Sequence, residues 1–224
     1  MKRVPALLWL CVLVVIALGS IGCGSSHTRV RFVDASPDET SLSLLVDGKV
    51  VADSVSYSTA SSYVSVTPGS RHLQVETPGS STILIDQTPT FSASTDTTVM
   101  AGSYSSSIAG LIFVDDNNAP TSGNMKLRII NASPGLGTAD VYIVAPGTDL
   151  TTVSPTVSGL AFEVASTYQS LPAGSYELFF TLPGQKFTYI DSGALSFSAG
   201  QVRTVLGLNG ASGGFTSAVL ADVN

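Results

Sequence analysis

Few side chains in this sequence are of a type and spacing that could do chemistry. The run Asp115-Asp116-Asn117-Asn118 is rich in oxygen and ends an apolar stretch. Hard cations such as Ca²⁺ take such ligands, so Asp115, Asp116 and Asn117 form a candidate metal site. The run lacks EF-hand spacing, and the corresponding later stretch has Val223 between Asp222 and Asn224. A solvated loop that caps backbone N–H groups is the competing reading. Gly210-Ala211-Ser212-Gly213-Gly214 fits G-x-S-x-G in letters. A nucleophile elbow needs a strand before it, a helix after it and a His base. The following FTSAVLADV reads as a strand, and no His lies beyond His72, so a hairpin loop is expected.

His27 and His72 are the two histidines, and Cys11 and Cys23 the two cysteines. With Cys11 inside an export signal and Cys23 expected to be acylated, the mature chain has no Cys/His zinc set. Glu76, Glu163 and Glu177 are available as carboxylates, but nothing in the sequence places two of them together as glycoside hydrolysis requires. No Walker or strand–GxGxxG–helix unit occurs. Tyr57, Tyr63, Tyr168, Tyr176 and Tyr189 could stack on sugar rings, or serve as strand core and corner residues. Arg31 and Arg128 each interrupt an apolar strand at matching places. They could line a ligand edge; the favoured reading is that each lays its stem across a sheet while Asp34/Asn131 and Ser36/Ser133 close the following turn. No catalytic residue and no cofactor is expected.

The elements that must position these residues come in two sets. Val30-Arg31-Phe32-Val33-Asp34-Ala35-Ser36-Pro37 returns 97 residues later as Leu127-Arg128-Ile129-Ile130-Asn131-Ala132-Ser133-Pro134. Ser62-Tyr63 returns as Thr167-Tyr168, Phe91-Ser92-Ala93 as Phe197-Ser198-Ala199, and LIFVD at 111–115 as AVLAD at 218–222. A tandem duplication explains recurrence in order. Within each copy the period is two: Leu73 and Val75 alternate with Gln74 and Glu76, and Tyr176, Leu178 and Phe180 share a face. Turn signals recur every eight to twelve residues, and Asp47-Gly48 suits a type I′ hairpin. The expectation is an all-β chain of two tandem immunoglobulin-like antiparallel β-sandwich domains, about seven strands each, at 29–116 and 126–224. Residues 117–125, NNAPTSGNM, read as a linker.

The start of the chain has the layout of an export signal over residues 1–22: Lys2 and Arg3, an apolar run from Val4 to Leu18, then small residues. Gly22-Cys23 is similar to a bacterial lipobox, with Ser20 where Leu is usual, so Cys23 is the expected lipidation site. Residues 23–28 would be a lipidated tether. Acyl chains at about 0.8 kcal/mol per buried CH₂ would hold the protein on a membrane. Gly24 in place of Asp favours the outer membrane of the cell envelope.

Loss of residues 1–22 shortens the chain from 224 residues to 202 and lowers the basic count from 10 to 8, against 16 acidic groups, for a formal charge of −8. That balance argues against nucleic acid as a partner. Charged residues are 12% of the sequence, while Ser and Thr number 33 and 22 and supply much of the polar surface.

The words R-(F/I)-(V/I)-(D/N)-A-S-P and Asp140-Val141-Tyr142, with Val46-Asp47-Gly48 and Gly200-Gln201-Val202-Arg203-Thr204-Val205, are similar to the bacterial domain-of-unknown-function 4397 family. The resemblance covers most of residues 29–224. Asp34 and Asn131 stand where the family has a His. It implies an exported, often tandem β-sandwich and no established activity. The function expected is therefore a non-enzymatic envelope lipoprotein in surface interaction, adhesion or assembly, with an envelope protein or glycan as partner. A membrane-anchored carbohydrate or small-ligand binding module is the alternative, and a hydrolase hidden in loops a third class.

Overall fold

A computed structural model describes residues 28–80 and 82–222. The signal, Cys23, His27 and Asn224 lie outside the described residues. The first half contains β1 (Thr28–Ala35), β2 (Ser41–Val46), β3 (Lys49–Ser56), β4 (Val64–Val66), β5 (Gly69–Ser70), β6 (Leu73–Glu76), β7 (Ile83–Gln87), β8 (Thr90–Phe91), β9 (Asp96–Gly102) and β10 (Ala109–Asp115). The second contains β11 (Asn124–Asn131), β12 (Ala139–Val144), β13 (Val157–Leu160), β14 (Val164–Ala165), β15 (Gln169–Pro172), β16 (Gly174–Thr181), β17 (Thr188–Phe197), β18 (Val202–Asn209) and β19 (Phe215–Ala221). The chain is all-β. β1 takes in Thr28, expected in the tether, and β11 takes in Asn124 and Met125, expected in the linker. Strand hydrogen bonds and burial of Met125 outweigh the polar local composition there.

The first sandwich pairs an outer sheet, β3-β2-β6-β7, with an inner sheet, β10-β9-β1-β4. Phe32 and Val99 of the inner sheet meet Leu42, Leu44 and Leu73 of the outer one. The second sandwich repeats this with β13-β12-β16-β17 outside and β14-β11-β18-β19 inside, β15 also pairing with β11. Leu127 and Ile129 there meet Val141, Leu178 and Phe180. Pairing is antiparallel with one exception per sandwich: β1 runs parallel to β9, and β11 parallel to β18. The two-residue turn at Asp47-Gly48 has positive φ at both positions, 51° and 72°, as the hairpin twist demands.

The two inner sheets pack on each other, giving four layers. Val33, Ala35 and Met100 of the first sandwich form one buried cluster with Ile130, Ala132, Leu206, Leu208 and Leu220 of the second. Full burial of one such aliphatic side chain is worth about 1.5–3 kcal/mol, so this seam is a third core. β1 and β11 are consequently covered on both faces: odd positions of β1 face the seam, while Val30 and Phe32 face their own sandwich.

Candidate functional site

Within the seam, both recurring arginines are fully buried, and each reaches the other sandwich. Arg31 on β1 donates from Nη2 to Asp222 Oδ1 at 2.7 Å and from Nη1 to the Ala221 carbonyl at 3.0 Å. Arg128 on β11 donates from Nη2 to Asp115 Oδ1 at 2.6 Å and from Nη1 to the Val114 carbonyl at 3.3 Å. Exposure of the four paired side chains is 1% and 0%, and 3% and 0%. Each guanidinium also lies 4.9 Å from the ring centre of a tyrosine on its own sandwich, Tyr63 for Arg31 and Tyr168 for Arg128.

The tyrosine hydroxyls close the circuit. Tyr63 donates to Asp115 Oδ2 at 2.7 Å, and Tyr168 to Asp222 Oδ2 at 3.3 Å. Thr98 donates to Asp115 at 2.7 Å and accepts from Arg31 Nε at 2.8 Å. Thr204 donates to Asp222 at 3.2 Å and accepts from Arg128 at 3.2 Å. The order Arg31–Asp222–Tyr168–Arg128–Asp115–Tyr63 is a closed ring with two positive and two negative charges. Burial opposes the charge on Arg31, but Asp222, Tyr63 and Asp115 outweigh it and raise its pKa above the ordinary value. Tyr63 and Tyr168 are pushed upward, chiefly by burial, with Arg31 and Arg128 respectively pulling the other way. Both phenols therefore stay protonated as donors.

The ring draws on β1, β9, β10, β11 and β18, with Tyr63, Tyr168 and Asp222 in the segments beside strands. Alternation along β1 and β11 directs Arg31 and Arg128 to the seam; β10 ends on Asp115 and β19 ends one residue before Asp222, the aspartates that meet the other sandwich's arginine. Two open grooves flank it. One, of about 530 Å³, lies between Ser58–Tyr63 and Val219–Asp222. The other, of about 540 Å³, lies between Ile112–Val114 and Ala165–Tyr168. Each sets hydroxyls of one sandwich against the outermost strand of the other, and an arginine occupies a carbonyl of that strand.

Of the three candidate metal ligands, Asp115 and Asn117 share Tyr63 as a hydrogen-bond partner. Both oxygens of Asp115 accept bonds in the ring. Asp116 pairs with Lys126 at 2.7 Å and accepts from Asn118. Asn117 donates to Asp96, which also holds Arg29 through two 2.7 Å bonds. Among the described residues no three His, Cys, Asp or Glu side chains are grouped to hold a metal ion. Gly210 to Gly214 form the turn between β18 and β19, closed by a 2.9 Å bond from Gly210 N to the Gly214 carbonyl. His72 is exposed beside Asp86, at 2.8 Å.

The five tyrosines divide. Tyr63 and Tyr168 belong to the ring, Tyr57 donates to the Asn209 carbonyl across the seam, and Tyr176 packs near Phe197. Tyr189 lies edge-on to both Phe187 and Phe215, at 5.1 and 5.7 Å between ring centres. Sequence reasoning noted the recurrence of Arg, Tyr and the terminal Asp separately and missed that they form one set. Thr98 and Thr204 recur at matching places as well, within β9 and β18. The signal was available: each type recurs in the same order in both halves.

The chain belongs to the family described as Domain of unknown function (DUF4397), matched over residues 28–142. The match runs through the first sandwich and across the seam into β12. Among solved structures it is similar to CBMbc, of family CBM26, from Eubacterium rectale Amy13K in complex with maltoheptaose. That likeness has 10% identity over 88% of this chain and 98% of that one, with a TM-score of 0.26. It is also similar to family 41 carbohydrate-binding modules from streptococcal virulence factors, at 12% identity over 80% of this chain and 92% of that one, TM-score 0.25. No curated protein matches the chain.

Proposed function

We propose that the chain is a non-enzymatic lipoprotein of the bacterial cell envelope, held on the outer membrane by acyl chains on Cys23. In this reading the second sandwich is a second copy of the family domain. The two copies act as one stiff block whose role is surface interaction: adhesion to, or assembly with, an envelope protein. The observation that carries it is the closed ring. The charged residues that recur most faithfully turn inward and join the sandwiches, leaving the outer sheets and end loops to meet a partner. The order Lys2-Arg3, apolar run, Gly22-Cys23 supports the anchor.

The test is fractionation of cells fed a labelled palmitate analogue. The native chain should carry label and sediment with outer membrane, and Cys23→Ser should lose both. Retention of the label by Cys23→Ser would reject the anchor. Photocrosslinkers placed on the outer sheets of the anchored protein should then trap one envelope protein in stoichiometric yield, and crosslinking no stronger than at seam positions would reject the interaction role.

One observation favours glycan binding as a second reading. Phe187 is 68% exposed and continues into Tyr189 and Phe215, an aromatic surface on which sugar rings could stack. A glycan array on which the native protein scores and Phe187→Ala does not would support it; an array without hits would remove it.

A further inference from the structure

Each sandwich buries one polar side chain near the end of its first strand, and the two differ in chemistry. Asn131, in the second, has no exposed surface. Its Oδ1 accepts from the Ser133 N–H at 3.3 Å, and its Nδ2 donates to the carbonyls of Gly137 at 2.6 Å and Leu160 at 3.0 Å. The counterpart in the first sandwich is Asp34, also without exposed surface. Its Oδ1 accepts from the Ser36 N–H at 3.0 Å, closing the same turn.

That leaves Oδ2 of Asp34 in the place of the Asn131 amide nitrogen. Oδ2 is buried and meets no hydrogen-bond partner among the described residues. The acceptor side of the arrangement is retained in register: Leu160 pairs opposite Ala139 on β12, and Val55 pairs opposite Leu42 at the corresponding place on β2. The titratable groups facing Asp34 are Asp38 and Glu39 on the turn after β1 and Tyr57 alongside, none of them cationic. A buried carboxylate with no cation and no second donor is costly, whereas a carboxylic acid supplies the missing donor.

We propose that Asp34 is carried as a neutral carboxylic acid whose Oδ2–H donates to the Val55 carbonyl. It does in the first sandwich what the Asn131 amide does in the second, and it makes the first sandwich sensitive to protons. The segment after β3 transmits the effect. Ser58 N–H donates to the Asp34 carbonyl at 2.8 Å, and Asp34 N–H to the Thr59 carbonyl at 3.3 Å. Tyr57 in that segment grips Asn209 across the seam.

Burial is the main cause that pushes the Asp34 carboxyl up to about 7, opposed by the Ser36 N–H and reinforced by Glu39 and Asp38. The unfolded chain releases this proton at about pH 3.9. Between the two values the folded state holds a proton that the unfolded state has lost. Stability from this site is therefore full below the unfolded value, falls as pH rises toward about 7 and is level above it.

The test compares melting of the full chain in detergent, from about pH 4 to about pH 8, with that of Asp34→Asn and Asn131→Asp. Asp34→Asn should lose the native downward slope between these limits and melt above the native chain at the alkaline end. Asn131→Asp should gain a second downward slope. An infrared difference spectrum of native against Asp34→Asn protein at about pH 6, where exposed carboxyls are ionised, should show one carboxylic-acid carbonyl band. Asp34→Asn equally destabilised at both ends, no new slope in Asn131→Asp, or no such band would each overturn the proposal. The Asn131→Asp slope stands even if Asp34→Asn fails to fold.

Discussion

The two sandwiches solve the same problems with different residues in their own cores and with the same residue types in the polar ring at the seam. Where β3 of the first sandwich bulges opposite β2, Ser43 on β2 donates to Asp53 on β3 at 2.8 Å and accepts from Ser54 N–H. At the corresponding place in the second, the pair is exchanged: Ser158 on β13 donates to Asp140 on β12 at 3.0 Å, and Asp140 accepts from Gly159 N–H. Opposite Asp34 and Asn131 stand Ala101 and Gly207. In contrast, Arg, Tyr, Thr and Asp of the ring are the same types on both sides. A core can retain a hydrogen bond or a volume while its residues change. A ring closed across two sandwiches cannot, because each member must fit two neighbours at once. Buried ionic groups used in this way set register and orientation more than they add net stability.

The largest way to break this comparison is to open the ring. Arg31→Ala leaves Asp222, and Arg128→Ala leaves Asp115, buried without its cation, and each should cost about 3–5 kcal/mol in urea denaturation. Similar costs on the two sides would sharpen the equivalence, and a loss under about 1 kcal/mol at either would break it. The next effect lies at Gly207. A Cβ added there would sit 2.6 Å from Phe180 and 3.1 Å from Ile190. Gly207→Ala should therefore cost about 1–3 kcal/mol through overpacking. The converse change in the first sandwich, Ala101→Gly, should cost about 0.5–1 kcal/mol, from chain entropy.

The smallest effect distinguishes the exchanged pair. Burial opposes the charge on Asp140, yet the N–H groups of Gly184 and Gly159, the Ser158 hydroxyl and nearby Lys186 hold its pKa below the ordinary value. Its contribution is full above the unfolded value and is lost as pH falls through the folded one. Asp140→Asn should cost about 1 kcal/mol near neutrality and progressively less in acid. Asp53→Asn, with its carboxylate in contact with hydroxyls only, should cost less at every pH.

Much of the fold was legible. The Asp47-Gly48 hairpin, the period-two strands of 73–76 and the paired openings at Arg31 and Arg128 all follow from local chemistry and recurrence. The seam was not. Alternation signals a strand with one wet face, and β1 and β11 have none. An arginine in such a strand looks like a solvent-facing residue until its partner is known, and Asp222 lies 191 residues from Arg31. The same limit governs Asp115. Read with its neighbours Asp116 and Asn117 it offers oxygen to a cation, and only the fold shows that Arg128 supplies the charge. Asp34 was legible as a turn residue through Ser36, and its orphan oxygen was not, since that depends on burial from every side.

Arg31 and Asp222 act as one unit across the seam, mirrored by Arg128 and Asp115. A double-mutant cycle on Arg31→Ala and Asp222→Ala, read by urea denaturation of the full chain in detergent, measures that coupling. The ring predicts that the double variant loses less than the sum of the singles by about 2–3 kcal/mol. Losses additive to within about 0.5 kcal/mol would contradict it.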